Sequence, residues 1–248
     1  MPQPLSKVRP KCDIDISPGA INRRPQFAFD VLRVIAFWAH IDGNLATLLS
    51  RMLNSDIAAG TAMYEALNGG DARRAVLLAA AQHSLPDWAN LLLQATLSAI
   101  KTSRNQRNDF AHHIWASTEE MPDAILLMHP SVVTRYNISF RQVHKVDGAN
   151  VIKPETIDYT KVMVYRAKDF SRAVQEAAEA DLMLIFLYDA ISDLPDLGYG
   201  AGRRLLLGKP QIQRAIAKLT LESGQPIPPE LRPEANVDPL PRGHIPQQ

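Results

Sequence analysis

A chain of 248 residues can hold one large domain or two small ones, and either can bury a sizeable core. Its net charge of +1 excludes a global basic field that would draw it onto nucleic acid, so any polyanion contact must come from a local patch. The single cysteine, Cys12, excludes an internal disulfide framework and a cysteine-based zinc cluster, and fits a reducing, cytoplasmic setting.

Residues 1–25 carry Pro2, Pro4, Pro10, Pro18 and Pro25 with no helical period and no apolar signal segment; they read as an extended or disordered arm. From Phe27 the pattern changes. Phe27, Val31, Val34, Trp38, Ile41, Leu45, Leu48 and Met52 recur every three or four positions, which predicts a long helix with one buried face. Two shorter helices are expected over 56–68 and 71–84, broken at "NGGD", with Asp71 capping the second. Pro86-Asp87 opens a fourth helix whose stripe Leu93, Leu97, Ile100 continues at the same spacing onto Arg104, Arg107 and Ala111.

After His113 the period alters. "IWAS", "AILLMH", "VVTRYNISF" and "TKVMVYR" are short β-branched or apolar runs, and "VDGAN" (146–150) is a turn signal. Helix returns over 168–194, and a short one follows over 209–221. Within the longer of these, the run "DLMLIFLYDAI" (181–191) has the length of a buried core segment rather than a membrane span. The expected fold is therefore mainly α: an antiparallel helical bundle over 26–194 with a small β insertion at about 114–166, before the last long helix. Residues 195–222 form a linker and short helix, and the Pro-rich tail 223–248 is expected to be disordered.

The chemistry is concentrated in "RNQRNDFAHHIW", residues 104–115. Guanidiniums on a face that was apolar a turn earlier need acidic partners, solvent or an anionic ligand, because a buried unpaired charge costs several kcal/mol. An imidazole titrating near neutrality can take or give a proton. A guanidinium can hold two phosphate oxygens and stabilise charge developing on phosphorus. RNA supplies its own nucleophile in the 2′-hydroxyl, so such a set can cut RNA without a metal. It does not by itself explain DNA cleavage.

"RNDFAH" (107–112) resembles the signature of the HEPN superfamily: an Arg, a polar residue, then a His after a short gap, near the end of a long helix in a helical bundle. The resemblance implies a metal-independent endoribonuclease of the toxin–antitoxin or phage-defence type, working as a homodimer in which two motifs meet. Possible partners of that kind are an antitoxin or a nucleotidyltransferase. Carried onto this chain, Arg107 stabilises the phosphate, Asn108 orients, and His112 is the acid/base. His113 also fits the permitted gap, so the choice of histidine stays open. Lys101, Arg104 and His113 would guide or bind the RNA. No cofactor is implied. The other reading is a noncatalytic dimeric interaction module that uses the same Arg-His motif as an anion or partner site.

The remaining polar residues have plainer readings. Asp42, beside the first helix's apolar stripe, is placed to pair with Arg104 or Arg107. His40 and Asp42 have the wrong spacing for adjacent metal ligands on one helix, and no metal site is expected. His83, His129 and His144 read as isolated loop or surface residues. Trp38, Trp88 and Trp115 read as core anchors. "LGYGAGRR" (197–204) lacks the Lys-Ser/Thr ending and preceding strand of a phosphate loop and reads as a linker.

Overall fold

The computed structural model describes residues 2–9, 11–146, 149–152, 156–192 and 201–232. It is mainly helical, with a small antiparallel sheet ahead of the last long helix, as expected. By contacts, the chain divides into two compact units, residues 1–38 with 102–178 and residues 39–101 with 179–248. Periodicity joins elements that are neighbours in sequence, whereas each unit is assembled from segments far apart in it.

The first unit is built on a five-stranded sheet in the order β1-β7-β4-β3-β2, with all neighbours antiparallel. Its strands are β1 (Gln3–Pro4), β2 (Asp15–Ile16), β3 (Ile114–Ser117), β4 (Ala124–Met128) and β7 (Val162–Arg166). All five residues of β4 are buried, which requires cover on both faces of the sheet. On one face Ala124, Leu126 and Met128 meet Val162, Val164, Val133 and Leu5. On the other, Tyr165 stands opposite Ile125 and contacts the rings of Phe110 and Phe170.

Residues 1–25 are therefore more than an arm. They supply both edge strands, and Leu5, in the short helix α1 (Leu5–Val8), is fully buried in the sheet's core. Two-residue strands carry no readable alternation, which hid them in the sequence. Leu5→Ala should cost about 2–5 kcal/mol, the range for emptying a buried leucine site. Urea unfolding measures it; a cost near zero would mean that the N-terminal segment does not belong to this core.

The long first helix is α2 (Pro25–Met52), and its expected stripe is buried from Phe27 to Met52, with Val31 half-buried. "VVTRYNISF" is not a strand but the body of α7 (Pro130–Ser139). Pro130 fits the first helical turn, and the His129 side chain caps it by accepting from the Ser131 N–H. These end signals outweigh the β propensity of Val132, Val133 and Ile138. The pair β5 (Val143–Val146) and β6 (Ala149–Ile152) forms a separate hairpin. Asp147 and Gly148, at the centre of its expected turn, lie outside the described residues. The helix α8 (Ala167–Ile191) closes the series and contributes Phe170 to this unit.

The second unit is all helical among its described residues. It contains α3 (Ile57–Ala66), α4 (Gly70–Ser84), α5 (Asp87–Ala99), α9 (Ala201–Leu207) and α10 (Pro210–Ser223), with the second halves of α2 and α8. Asp71 is not the cap of α4. Gly69 holds that position at φ 88°, where a residue without Cβ is favoured, and Asp71 sits in the first turn. Asp56 caps α3 instead, accepting from the N–H groups of Ala58 and Ala59. The end of "LGYGAGRR" is helical too, since Ala201–Arg204 open α9; residues 197–200 lie outside the described residues. So does the expected tail from 233, while Leu231 is buried in a short 3-10 turn.

Close backbone approach fixes Gly60. A Cβ there would lie 2.7 Å from the Ser50 Cα and closer still to its Oγ, so α3 crosses α2 with no room for a methyl group. Gly60→Ala should destabilise the protein by about 1–3 kcal/mol through overpacking, despite alanine's better helix propensity. Thermal melting gives the sign directly, and a rise in Tm would overturn the packing argument. No helix among the described residues is long and apolar enough to cross a membrane, the run over 181–191 included.

Candidate functional site

The motif lies on α6 (Lys101–His112), which follows α5 across a one-residue break at Ile100. Within α6 the buried positions are Ser103 and Phe110. Ser103 accepts a hydrogen bond from the Trp38 indole at 3.1 Å, and Phe110 packs among aromatic rings. Arg107 lies between them at i+4 from one and i−3 from the other, on the same strip. Ala111 is exposed.

This placement governs Arg107. The residue is half-buried, its Nη1 donates to the Asn108 Oδ1 at 3.1 Å, and its Nε is buried without a hydrogen-bond partner. Among the described residues no carboxylate pairs with it. The Asn108 amide oxygen, a neutral acceptor, orients the guanidinium without cancelling its charge. Asp42 does not serve here: it takes the Arg73 guanidinium at 3.7 Å and the Tyr64 hydroxyl at 3.3 Å in the second unit. Arg104 is half-buried, and Lys101 and His112 are exposed.

The two histidines have different surroundings. His112 ends α6 with its ring in solvent. His113 turns its Nδ1 to the backbone oxygen of Asp109 at 3.1 Å and to the Asp109 carboxylate at 3.3 Å. A carbonyl can only accept, so Nδ1 carries the proton and Nε2 of the neutral ring is left as an acceptor. Burial pushes the Asp109 carboxyl above the ordinary carboxylate range, against the opposing pull of His113 and His129. The Tyr165 phenol is raised as well, first by burial and then by the charges of Asp109 and Asp169.

His129 completes this second group, its ring centroid 5.6 Å from that of His113 and the ring planes 68° apart, edge to face. The sheet explains the meeting. Ile114 pairs with Met128 in the β3–β4 register, so the residues just outside that pair, His113 and His129, face each other. Asp109 and His129 were both missed in the sequence. The i, i+4 spacing of Asp109 and His113 was a readable signal; nothing local marked His129.

The structure therefore brings Arg107 and Asn108 together on one side of α6, and Asp109, His113 and His129 on another. His113 lies just past the end of α6, its backbone N–H donating to the Asp109 carbonyl at 3.0 Å. Among the described residues no group of three or more His, Cys, Asp or Glu side chains is arranged to hold a metal ion. Comparison with protein-family models, with curated protein sequences and with solved structures finds no match for this chain.

Proposed function

We propose that the chain is a HEPN-like, metal-independent endoribonuclease of the toxin or phage-defence type, with Arg107, Asn108 and His112 as its working residues. The observation that carries this reading is the Arg107 guanidinium: half-buried, oriented by Asn108, and without a carboxylate among the described residues. A charge held in that way is suited to an anion, and a phosphodiester offers the paired oxygens a guanidinium binds best.

His112 is favoured over His113 as the proton carrier, because it is exposed to substrate while His113 is half-buried. In the reaction the RNA 2′-oxygen attacks phosphorus, the P–O2′ bond forms and the P–O5′ bond breaks. The 2′-hydroxyl proton passes to the imidazole, which then delivers a proton to the departing 5′-oxygen. Arg107 stabilises the charge gathering on the non-bridging oxygens. Arg104 and Lys101 guide the backbone of the RNA.

Arg107 and His112 lie roughly 140° apart on a regular helix, so one α6 does not aim both at the same phosphate. Two copies related by a two-fold axis can combine Arg107 of one with His112 of the other, which is why the proposal includes a homodimer. A toxin-type activity further implies a neutralising partner, an antitoxin or a nucleotidyltransferase.

Incubation of the purified full chain with labelled single-stranded RNA in the presence of EDTA tests the reading. The expected products carry 2′,3′-cyclic phosphate and 5′-hydroxyl ends. Cleavage that requires a divalent metal, or that leaves 5′-phosphates, sinks the mechanism. RNA bound through Arg107 but never cut would make the noncatalytic interaction module the better account.

A further inference from the structure

A cavity of about 650 Å³ opens in the first unit between α2, the segment 16–21 and the start of β3. This volume is within the range of small-molecule sites, roughly 300–1,000 Å³. Its walls are almost wholly apolar and include Ile21, Val31, Leu32, Ile35 and the ring of Trp115. No acidic residue, lysine or arginine lines it.

The polar groups at its walls are few, and their hydrogen-bonding capacity is nearly spent. The Trp115 Nε1 already donates to the Phe110 carbonyl at 3.3 Å. The Ser17 Oγ accepts from the Gly19 N–H at 3.0 Å, which leaves its own O–H to donate. The His113 Nδ1 proton is engaged by Asp109, which leaves Nε2 to accept. The site therefore offers one acceptor and one donor on an apolar, partly aromatic surface. At its lip Leu32 stays 62% exposed, so apolar surface is left facing water when the cavity is empty.

We infer that this cavity is a binding site for an uncharged, planar aromatic molecule bearing a hydroxyl group. The ring would pack against Trp115 and the aliphatic wall. The hydroxyl would donate to the His113 Nε2 and can accept from Ser17. A charged ligand is disfavoured, because its ion would lose water without gaining a counter-charge from a lysine, arginine or carboxylate in the wall. The inference stands apart from the ribonuclease proposal: it uses His113, which is past the end of α6 and bonded to Asp109, and needs no RNA.

Equilibrium dialysis of the full chain against 2-naphthol, naphthalene and 2-naphthoate tests it. The expected result is saturable one-to-one binding of 2-naphthol, with naphthalene and 2-naphthoate each weaker by about tenfold or more, as the loss of one hydrogen bond or the burial of an unpaired charge requires. His113→Leu should remove the preference for 2-naphthol over naphthalene. Ala28→Trp should fill the cavity and abolish binding. Leu32→Gln, at an exposed lip position that folding tolerates, should weaken it if the tryptophan variant does not fold. Unsaturable binding, equal affinity for the three compounds, or binding unchanged in Leu32→Gln and in a folded Ala28→Trp would overturn the assignment.

Discussion

Arg107→Ala should reduce RNA cleavage by about 10²-fold or more, the scale for losing a preorganised charge that stabilises a developing oxyanion. His112→Ala should cost a similar factor, about 10²–10⁴-fold, by removing the general acid/base. Measured as kcat under saturating RNA, both losses belong to the chemical step. Arg107→Lys should recover little, because an ammonium keeps the charge but cannot present two parallel donors or hold the Asn108 amide in the same way. His113→Ala should leave the cleavage rate near that of the parent, since its ring serves the Asp109 group instead. Arg104→Ala should mainly raise KM and flatten the salt dependence, as the loss of a backbone phosphate contact does. If His113→Ala is the inactive variant and His112→Ala is not, the assignment of the proton carrier is wrong. Circular dichroism of each variant separates lost chemistry from lost fold.

Phe170→Ala should be the most damaging single truncation in the first unit, at about 3–5 kcal/mol. Phe170 is fully buried and meets four rings: Phe27 at 4.7 Å, Phe110 at 5.3 Å, Tyr165 at 5.6 Å and Trp115 at 6.3 Å between centroids. It is the point at which α2, α6, β3, β7 and α8 share one packing centre. Aromatic pairs contribute about 0.5–1.5 kcal/mol beyond their buried area, and removing this ring loosens several of them together. Phe29→Ala is the natural control: at 64% exposed, that ring should be worth no more than about 0.5 kcal/mol. Equal effects of the two substitutions in urea unfolding would show that the aromatic cluster is not the core. The same ring packs against Phe110 on α6, so Phe170→Ala should also blunt cleavage through the position of the motif helix.

The helices were readable in advance because burial on one face imposes a period that survives in the sequence, as it does from Phe27 to Met52. Short elements have no room for a period. β1 and β2, two residues each, left no trace, and the N-terminal prolines suggested an unstructured arm. In α7, β-branched residues pointed to a strand while Pro130 and the capping His129 determined a helix. The motif itself was legible, and so was the pairing of Arg107 with Asn108 as neighbours. The break at Ile100 was not, nor was the choice of Ser103 and Phe110 as the buried positions of α6. His129 joined His113 through strand register, a relation that spans the β3–β4 connection and has no local signature.

The hydrogen bond between the Trp38 indole and the Ser103 hydroxyl has a use in protein engineering. The first unit leaves off at residue 38 and resumes at residue 102, so this bond ties together side chains beside its two severed ends. A linker spliced between Trp38 and Thr102, in place of the intervening helices, would therefore join ends whose neighbouring side chains already touch. The product, ending near Ala178, would be a continuous miniature that keeps the five-stranded sheet, the aromatic centre and the whole of the Arg107 motif. Nested topologies usually resist dissection; here the graft point is already marked by a bond.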